Sequence, residues 1–237
     1  RITNALGNET RYEYDSRNRR IAEIDQEGNR TRYRYDLDNN LIAMIDANGN
    51  RTSYLYDARN RLLEARDAQG QVTRYDYDAT NNLVSVTDRR GSQTLYTYDA
   101  LNRLVQTEDA LGGIERLDYD KVDNLVSYRD ERDLQTRYIY DSRDRLSQVI
   151  SALENSDLAS GETNTMTYTY DGVGNQLTVT DELNRTTRYA YDALNRLTTV
   201  TDALDNATTY GYDAVDKLHS TTDNLLLETA YTNDELN

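Results

Sequence analysis

Residues 51–70 read RTSYLYDARNRLLEARDAQG, and their alternation decides the fold. With Asp57 as position zero, Thr52, Tyr54 and Tyr56 alternate with Ser53, Leu55 and Asp57. A period of two in aromatic and β-branched residues predicts a strand. Residues 58–61 then turn the chain, Leu62 to Arg66 reads as a second short strand, and residues 67–70 turn it back. The predicted unit is a β-hairpin, two strands and two turns in 21 residues.

The unit recurs along the chain. Asp15, Asp36, Asp57, Asp78, Asp99, Asp120 and Asp141 stand 21 residues apart, and Asp171, Asp192, Asp213 and Asp234 continue after one insertion. The first ten follow Tyr14, Tyr35, Tyr56, Tyr77, Tyr98, Tyr119, Tyr140, Tyr170, Tyr191 and Tyr212. These ten Tyr-Asp pairs are the candidate site residues, read as a structural repeat motif. A further tyrosine register lies two residues earlier, so 20 of the 21 tyrosines fall in two registers and Tyr128 alone does not. A fixed period means one small unit stacked many times around a shared core. Residues 1–237 are therefore expected to form a single array of about 11 repeats.

Turn chemistry agrees. Three residues after each motif aspartate stands Asn18, Asn39, Asn60, Asn81, Asn102, Asp123, Asp144, Gly174, Asn195 or Asp216. These residue types accept positive φ, so a left-handed turn position is expected there. The second turn carries Gly28, Gly49, Gly70, Gly91 and Gly112, then Asp133, Asn184 and Asp205. Leucine recurs five residues after the motif aspartate, as at Leu41, Leu62 and Leu83, with Arg20 and Gln176 as exceptions. That position breaks the parity of plus six and plus eight, which predicts a place at the turn mouth or beside a bulge.

The chain contains no proline. Proline cannot donate to a ladder, so its absence suits strands paired on both sides. The fold class expected is all-β, with stacked hairpins forming one long antiparallel sheet. About 22 strands at about 4.8 Å each give a ribbon on the order of 105 Å. Open twisted sheets rarely exceed about ten strands without curling, so a spiral or tube is expected. The Tyr/Leu/Val face would turn inward and the face carrying Arg32, Arg74, Arg116, Arg137 and Arg188 outward. Tyrosine suits a wet interior, because its hydroxyl still finds a polar partner.

Composition excludes several function classes. The net charge is −15, from 27 basic and 42 acidic residues, which opposes sequence-independent nucleic-acid binding. No cysteine is present, so there is no disulfide framework or zinc-finger spacing. The longest apolar run, Leu41–Ile45, is far short of a membrane span. Hydrophobic content is only 37%, but its strict periodicity argues for order rather than disorder.

No catalytic or cofactor constellation emerges. Aspartates at zero and plus ten invite a calcium reading, but aspartate beside a turn more often bonds its own backbone or a neighbouring arginine. His219 and Ser220 are adjacent in sequence only, which does not make a catalytic pair in space. Asn-x-Thr sequons at Asn8, Asn29, Asn50, Asn184 and Asn206 follow from the repeat itself, with asparagine in the turn and threonine at strand entry. Exposed tyrosines would allow a cell-surface glycan as partner, if their face were outside.

The unit Tyr-x-Tyr-Asp-x-x-Asn-Arg-Leu, followed by Asp-x-x-Gly-x-x-Thr, resembles the RHS/YD-repeat family. Clear instances run from Tyr54 to Leu62, Tyr96 to Leu104 and Tyr189 to Leu197. The resemblance covers essentially the whole chain. It implies a β-sheet spiralling into a cocoon-like shell, as in bacterial polymorphic toxins, insecticidal toxin complex shells and teneurins. In the toxins such a shell encloses a C-terminal toxin domain, released by an aspartyl self-protease. That closing region has no counterpart here, so no catalytic residue is carried over.

Asp141 to Asp171 spans 30 residues, nine more than the period. The insertion falls within 151–165 and is expected to be a surface loop, with a contact or plug loop as the alternative. The expected function is that of a non-enzymatic structural segment of a longer, secreted or cell-surface protein. Its repeats would form the curved wall of a shell around a cargo such as a toxin domain. The alternative is an adhesin or extracellular filament. The partners expected are neighbouring repeats or further copies, an enclosed toxin cargo or a cell-surface glycan, with no nucleic acid and no membrane span. No cofactor is implied.

Overall fold

The computed structural model describes residues 2–3, 9–152 and 163–231. Asp234 and most of the insertion lie outside the described residues. The chain divides into two compact units, Arg1–Ile114 and Glu115–Asn237.

The first unit carries β1 (Ile2–Thr3), β2 (Glu9–Tyr14), β3 (Arg20–Ile24), β4 (Arg30–Tyr35), β5 (Leu41–Ile45), β6 (Arg51–Tyr56), β7 (Leu62–Arg66), β8 (Val72–Tyr77), β9 (Leu83–Thr87), β10 (Gln93–Tyr98) and β11 (Leu104–Glu108). The second carries β12 (Ile114–Tyr119), β13 (Leu125–Arg129), β14 (Gln135–Tyr140), β15 (Leu146–Ala152), β16 (Thr163–Tyr170), β17 (Gln176–Thr180), β18 (Thr186–Tyr191), β19 (Leu197–Thr201), β20 (Ala207–Tyr212), β21 (Leu218–Thr222) and β22 (Glu228–Ala230). Within each unit every strand pairs antiparallel with the next, as β4 does with β5 and β18 with β19. The described structure is all-β, built from antiparallel hairpin repeats.

The turns of the repeats share one geometry, save that at Asp171 the Gly174 amide donates to the carboxylate at 2.8 Å instead of to the carbonyl. In the first turn of β2–β3, the Asn18 amide donates to the Asp15 carbonyl at 3.0 Å, and the Asp15 amide donates to the Arg19 carbonyl at 3.0 Å. The second turn repeats this from Asp25, with Gly28 and Asn29 in those roles. The third turn residue lies in the left-handed region in both series, from Asn18 (φ 59°) to Asp216 (φ 66°) and from Gly28 (φ 84°) to Asp205 (φ 62°). Short polar side chains and glycine accept this conformation with least strain, which is why those residue types recur. Leu226 holds the same place in the last described turn, at φ 62°, without that chemistry.

The plus-five residue sits at a bulge. Arg34 faces Ala43, yet the next residue, Tyr35, faces Leu41, so Ile42 is the extra residue on β5. The same shift occurs at Glu13/Tyr14, Leu55/Tyr56, Thr97/Tyr98, Ile139/Tyr140 and Ala190/Tyr191. A bulge of this kind twists the strand and re-aims its side chains.

Burial is spread thinly. Among the described residues the fully buried apolar side chains are Ala22 and Ala43, with Ser85 and Ser127 the buried polar ones. All four stand seven residues after a motif aspartate. Their cross-strand neighbours are Arg32 for Ala22, Arg34 for Ala43, Asp76 for Ser85 and Asp118 for Ser127. The deepest positions therefore lie among the long charged side chains, on the face opposite the tyrosines. The tyrosines themselves are mostly half-buried.

Candidate functional site

The recurring side chains converge on the joints between hairpins. At each first turn the motif aspartate uses both carboxylate oxygens. Asp57 Oδ1 accepts from the Arg59 and Arg61 amides at 2.8 and 3.0 Å, while Oδ2 accepts from Arg61 Nε at 2.7 Å. Asp36 does the same with the Asp38 and Asn40 amides and with Asn40 Nδ2. These bonds stabilise the charged form and hold the carboxyls below their usual range, chiefly through the Arg61 amide at Asp57 and the Asn40 side chain at Asp36. At Asp141 the Arg145 side chain is the main cause, and the pKa falls to about 2.

The residue at plus four then reaches into the next repeat. Arg61 Nη1 donates to the Asp78 carbonyl and to Asn81 Oδ1, both at 3.1 Å, and its guanidinium lies 4.7 Å from the centre of the Tyr77 ring. Arg19 makes the equivalent contacts with Asp36, Asn39 and Tyr35. Asn82 makes a shorter bridge, from Asp78 to Asn102 Oδ1 at 2.9 Å. Arginine and asparagine alternate at this position without exception from Arg19 through Asn40, Arg61, Asn82, Arg103, Asn124, Arg145 and Asn175 to Arg196. The turn edge thus repeats over two hairpins. Sequence reasoning missed this, although the alternation is visible once position plus four is read by itself.

The tyrosine before each motif aspartate completes the joint. At seven of these tyrosines the hydroxyl donates to the plus-five carbonyl of the preceding hairpin. Tyr35 reaches the Arg20 carbonyl at 2.9 Å, Tyr56 that of Leu41 at 3.1 Å, and Tyr191 that of Gln176 at 3.1 Å. Tyr98, Tyr140, Tyr170 and Tyr212 do the same. Only a backbone carbonyl is needed, which explains why Arg20 and Gln176 can stand where leucine is usual. Arg20 also stacks on Tyr33, 4.6 Å from the ring centre. Burial pushes the phenols of Tyr56, Tyr98 and Tyr140 up, because it disfavours the phenolate.

The other sequence candidates fall as follows. The motif carboxylates are committed to turn amides and to Arg or Asn, and no cluster of three metal-ligating side chains occurs among the described residues. His219 is exposed, while the Ser220 hydroxyl lies against Gly211, 2.6 Å from where a Cβ there would stand. Sequon residues Asn29, Asn50 and Asn206 donate their side-chain amides to Asp25, Asp46 and Asp202. Asn184 occupies a left-handed turn position, and Asn8 lies outside the described residues. An open cleft of about 490 Å³ lies beside Asp118, Tyr138 and Asp141. It holds no nucleophile–base pair.

The RHS Repeat family matches residues 1–30, 19–51, 35–72, 56–93, 77–114, 119–155, 170–207 and 192–225. No curated protein matches. Solved structures similar to the chain include TcdB2-TccC3, at 16% identity and TM-score 0.47, covering 96% of this chain and 18% of that one. TcdB2-TccC3-Cdc42 is similar at 16% identity and TM-score 0.48, over 92% and 17% of the two chains. The Tc holotoxin pore of Photorhabdus luminescens follows at 17% identity and TM-score 0.38, over 90% and 16%. The chain thus spans less than a fifth of the length of these structures.

Proposed function

The chain belongs to the RHS repeat family, and from that premise we propose that its hairpins form the wall of a shell that encloses or shields a separate cargo, such as a toxin domain. The Tyr-Asp motif is structural in this reading, and the repeats form one array that works without catalysis. The protein acts outside the cell or at its surface. The observation that carries the reading is the use made of the recurring side chains. Arg61, Asn81, Tyr77 and Tyr56 join one hairpin to a neighbour and Asp57 holds Arg61 in place for that contact, so none is left to form a reaction centre.

A wall needs this economy. Large apolar side chains are nowhere fully buried among the described residues, so stability comes from many similar nearest-neighbour joints. Such a sheet can be extended hairpin by hairpin without a central core limiting its size.

Electron cryo-microscopy of the longest native form tests the proposal. A closed, hollow β-structure with density inside is the expected result. A solid rod, or an open end-to-end filament without contents, would overturn it and favour an adhesin or filament scaffold.

A further inference from the structure

Along the hairpins between Thr163 and Thr222 the two turn edges differ chemically from those of the first four repeats; between them the same position is apolar at Leu101, Leu111 and Val122 but interrupted by Arg132 and Arg143. The edges are formed by the turns, and the second turn residue after each aspartate projects there. In the first repeats this residue is Arg17, Asp38, Arg59 or Thr80 on one edge and Glu27, Asn48, Gln69 or Arg90 on the other. In the three hairpins between Thr163 and Thr222 it is Val173, Leu194 and Val215 on the first edge. On the opposite edge it is Leu183, Leu204 and Leu225. All six are between 64% and 81% exposed. Contiguous apolar rows of this kind mark interaction sites on soluble proteins.

The spacing of the rows points to their partner. Successive hairpins lie two strand spacings apart, about 9.6 Å. Each edge therefore offers three apolar knobs at that pitch, in turns closed by the same bond from the aspartate amide to the plus-four carbonyl (Asp171, Asp192 and Asp213 on one side, Asp181, Asp202 and Asp223 on the other); of the six, the Asp171 turn alone sends its third-residue amide, Gly174, to the carboxylate rather than the carbonyl. A second hairpin edge repeats at the same pitch, so every knob meets an equivalent place. A surface of another fold has no reason to match it. Charge does not favour the pairing, since the chain carries −15 overall. The attraction must be apolar and the repulsion screened by salt.

We propose that a second copy of this chain docks its Leu183, Leu204 and Leu225 edge against the Val173, Leu194 and Val215 edge of the first. Such a first-edge to second-edge contact is heterologous, so copies stack side by side. The contact extends the wall in its second dimension and rests on the wall reading, though not on any cargo.

Sedimentation of the full chain up to roughly 100 μM, where a weak interface is still populated, provides the test. Two variants take residues the repeat already uses at these places. The first is Val173→Thr/Leu194→Arg/Val215→Asp, and the second is Leu183→Gln/Leu204→Asn/Leu225→Gln. The wild type should associate, more strongly as sodium chloride is raised, and each variant alone should be monomeric with an unchanged circular dichroism spectrum. Mixing the two should give one-to-one dimers and nothing larger, because each keeps one working edge. A monomeric wild type, a variant that still self-associates, or a mixture that stays monomeric would each overturn the edge contact. None of these outcomes touches the hollow-shell test, which fails or succeeds by imaging.

Discussion

Tyr128 stands directly across the ladder from Leu117. In the other hairpins the tyrosine is on the first strand and the smaller residue on the second, as in Tyr75 opposite Val86 and Tyr189 opposite Val200. The one tyrosine outside the two registers thus faces the one place in its register where leucine replaces tyrosine. The pair has exchanged strands, and the same face keeps one ring and one aliphatic side chain. Tyr128 gains a 2.5 Å hydrogen bond to Glu115, which pushes its pKa up to about 12.

This exchange predicts coupling. Tyr128→Val alone removes the ring, and Leu117→Tyr alone sets two rings opposite each other. The double variant restores the arrangement of the other hairpins. Cross-strand pairs contribute about 0.2–1 kcal/mol, so the double variant should lie about 0.5–1 kcal/mol closer to wild type than the sum of the single changes. Hydrogen exchange of the β12–β13 amides measures it. Strict additivity would show that the exchange is accidental.

Leu226 marks a correctable fault. A non-glycine residue at positive φ costs about 1–2 kcal/mol, less for asparagine. Leu226→Asn should slow amide exchange across β21–β22 about fivefold, equivalent to ~1 kcal/mol of local stability. The reverse change, Asn60→Leu, should speed exchange across β6–β7 by a similar factor. Faster exchange in Leu226→Asn would mean that the leucine side chain matters more than the strain.

Much of this was legible beforehand, for physical reasons that differ by position. The left-handed turn at Asn18 and its equivalents could be read because few residue types tolerate that conformation. The bulge at Leu41 could be read because its parity conflicts with that of Ile42 and Met44. Burial at Ala22 and Ala43 was not legible, since Glu64 and Gln106 occupy the same place elsewhere and depth there depends on side chains from neighbouring strands. The reach of Arg61 to Asn81 was hidden for a similar reason. It joins residues 20 apart whose contact exists only once the hairpins are paired.

The two tyrosine registers should respond differently to loss of the hydroxyl. Tyr56→Phe leaves the Leu41 carbonyl without its partner in the next hairpin, at a cost of about 0.5–1.5 kcal/mol. Tyr54 makes no hydroxyl hydrogen bond to a described residue, so Tyr54→Phe should be within about 0.5 kcal/mol of wild type. Urea unfolding of both variants checks this. Equal losses would refute the assignment of the joint to the tyrosine next to the aspartate.

Stability should form a plateau bounded by two kinds of titration. The motif carboxyls have depressed pKa values, about 2 at Asp141. Their contribution is present above the unfolded value of about 3.9 and is lost as pH falls through the folded value. The phenols are raised, to about 12 at Tyr128. Their contribution is present below the unfolded value of about 10 and is lost as pH rises through the folded one. The urea midpoint should therefore fall below pH ~4 and again above pH ~10. Asp141→Asn removes one acid-titrating group, so its midpoint should be lower at neutral pH but decline less steeply on acidification. Tyr128→Phe should likewise shallow the alkaline limb and leave the acid limb unchanged. An acid limb equally steep in Asp141→Asn and wild type would show that the Asp141–Arg145 pair does not couple folding to pH.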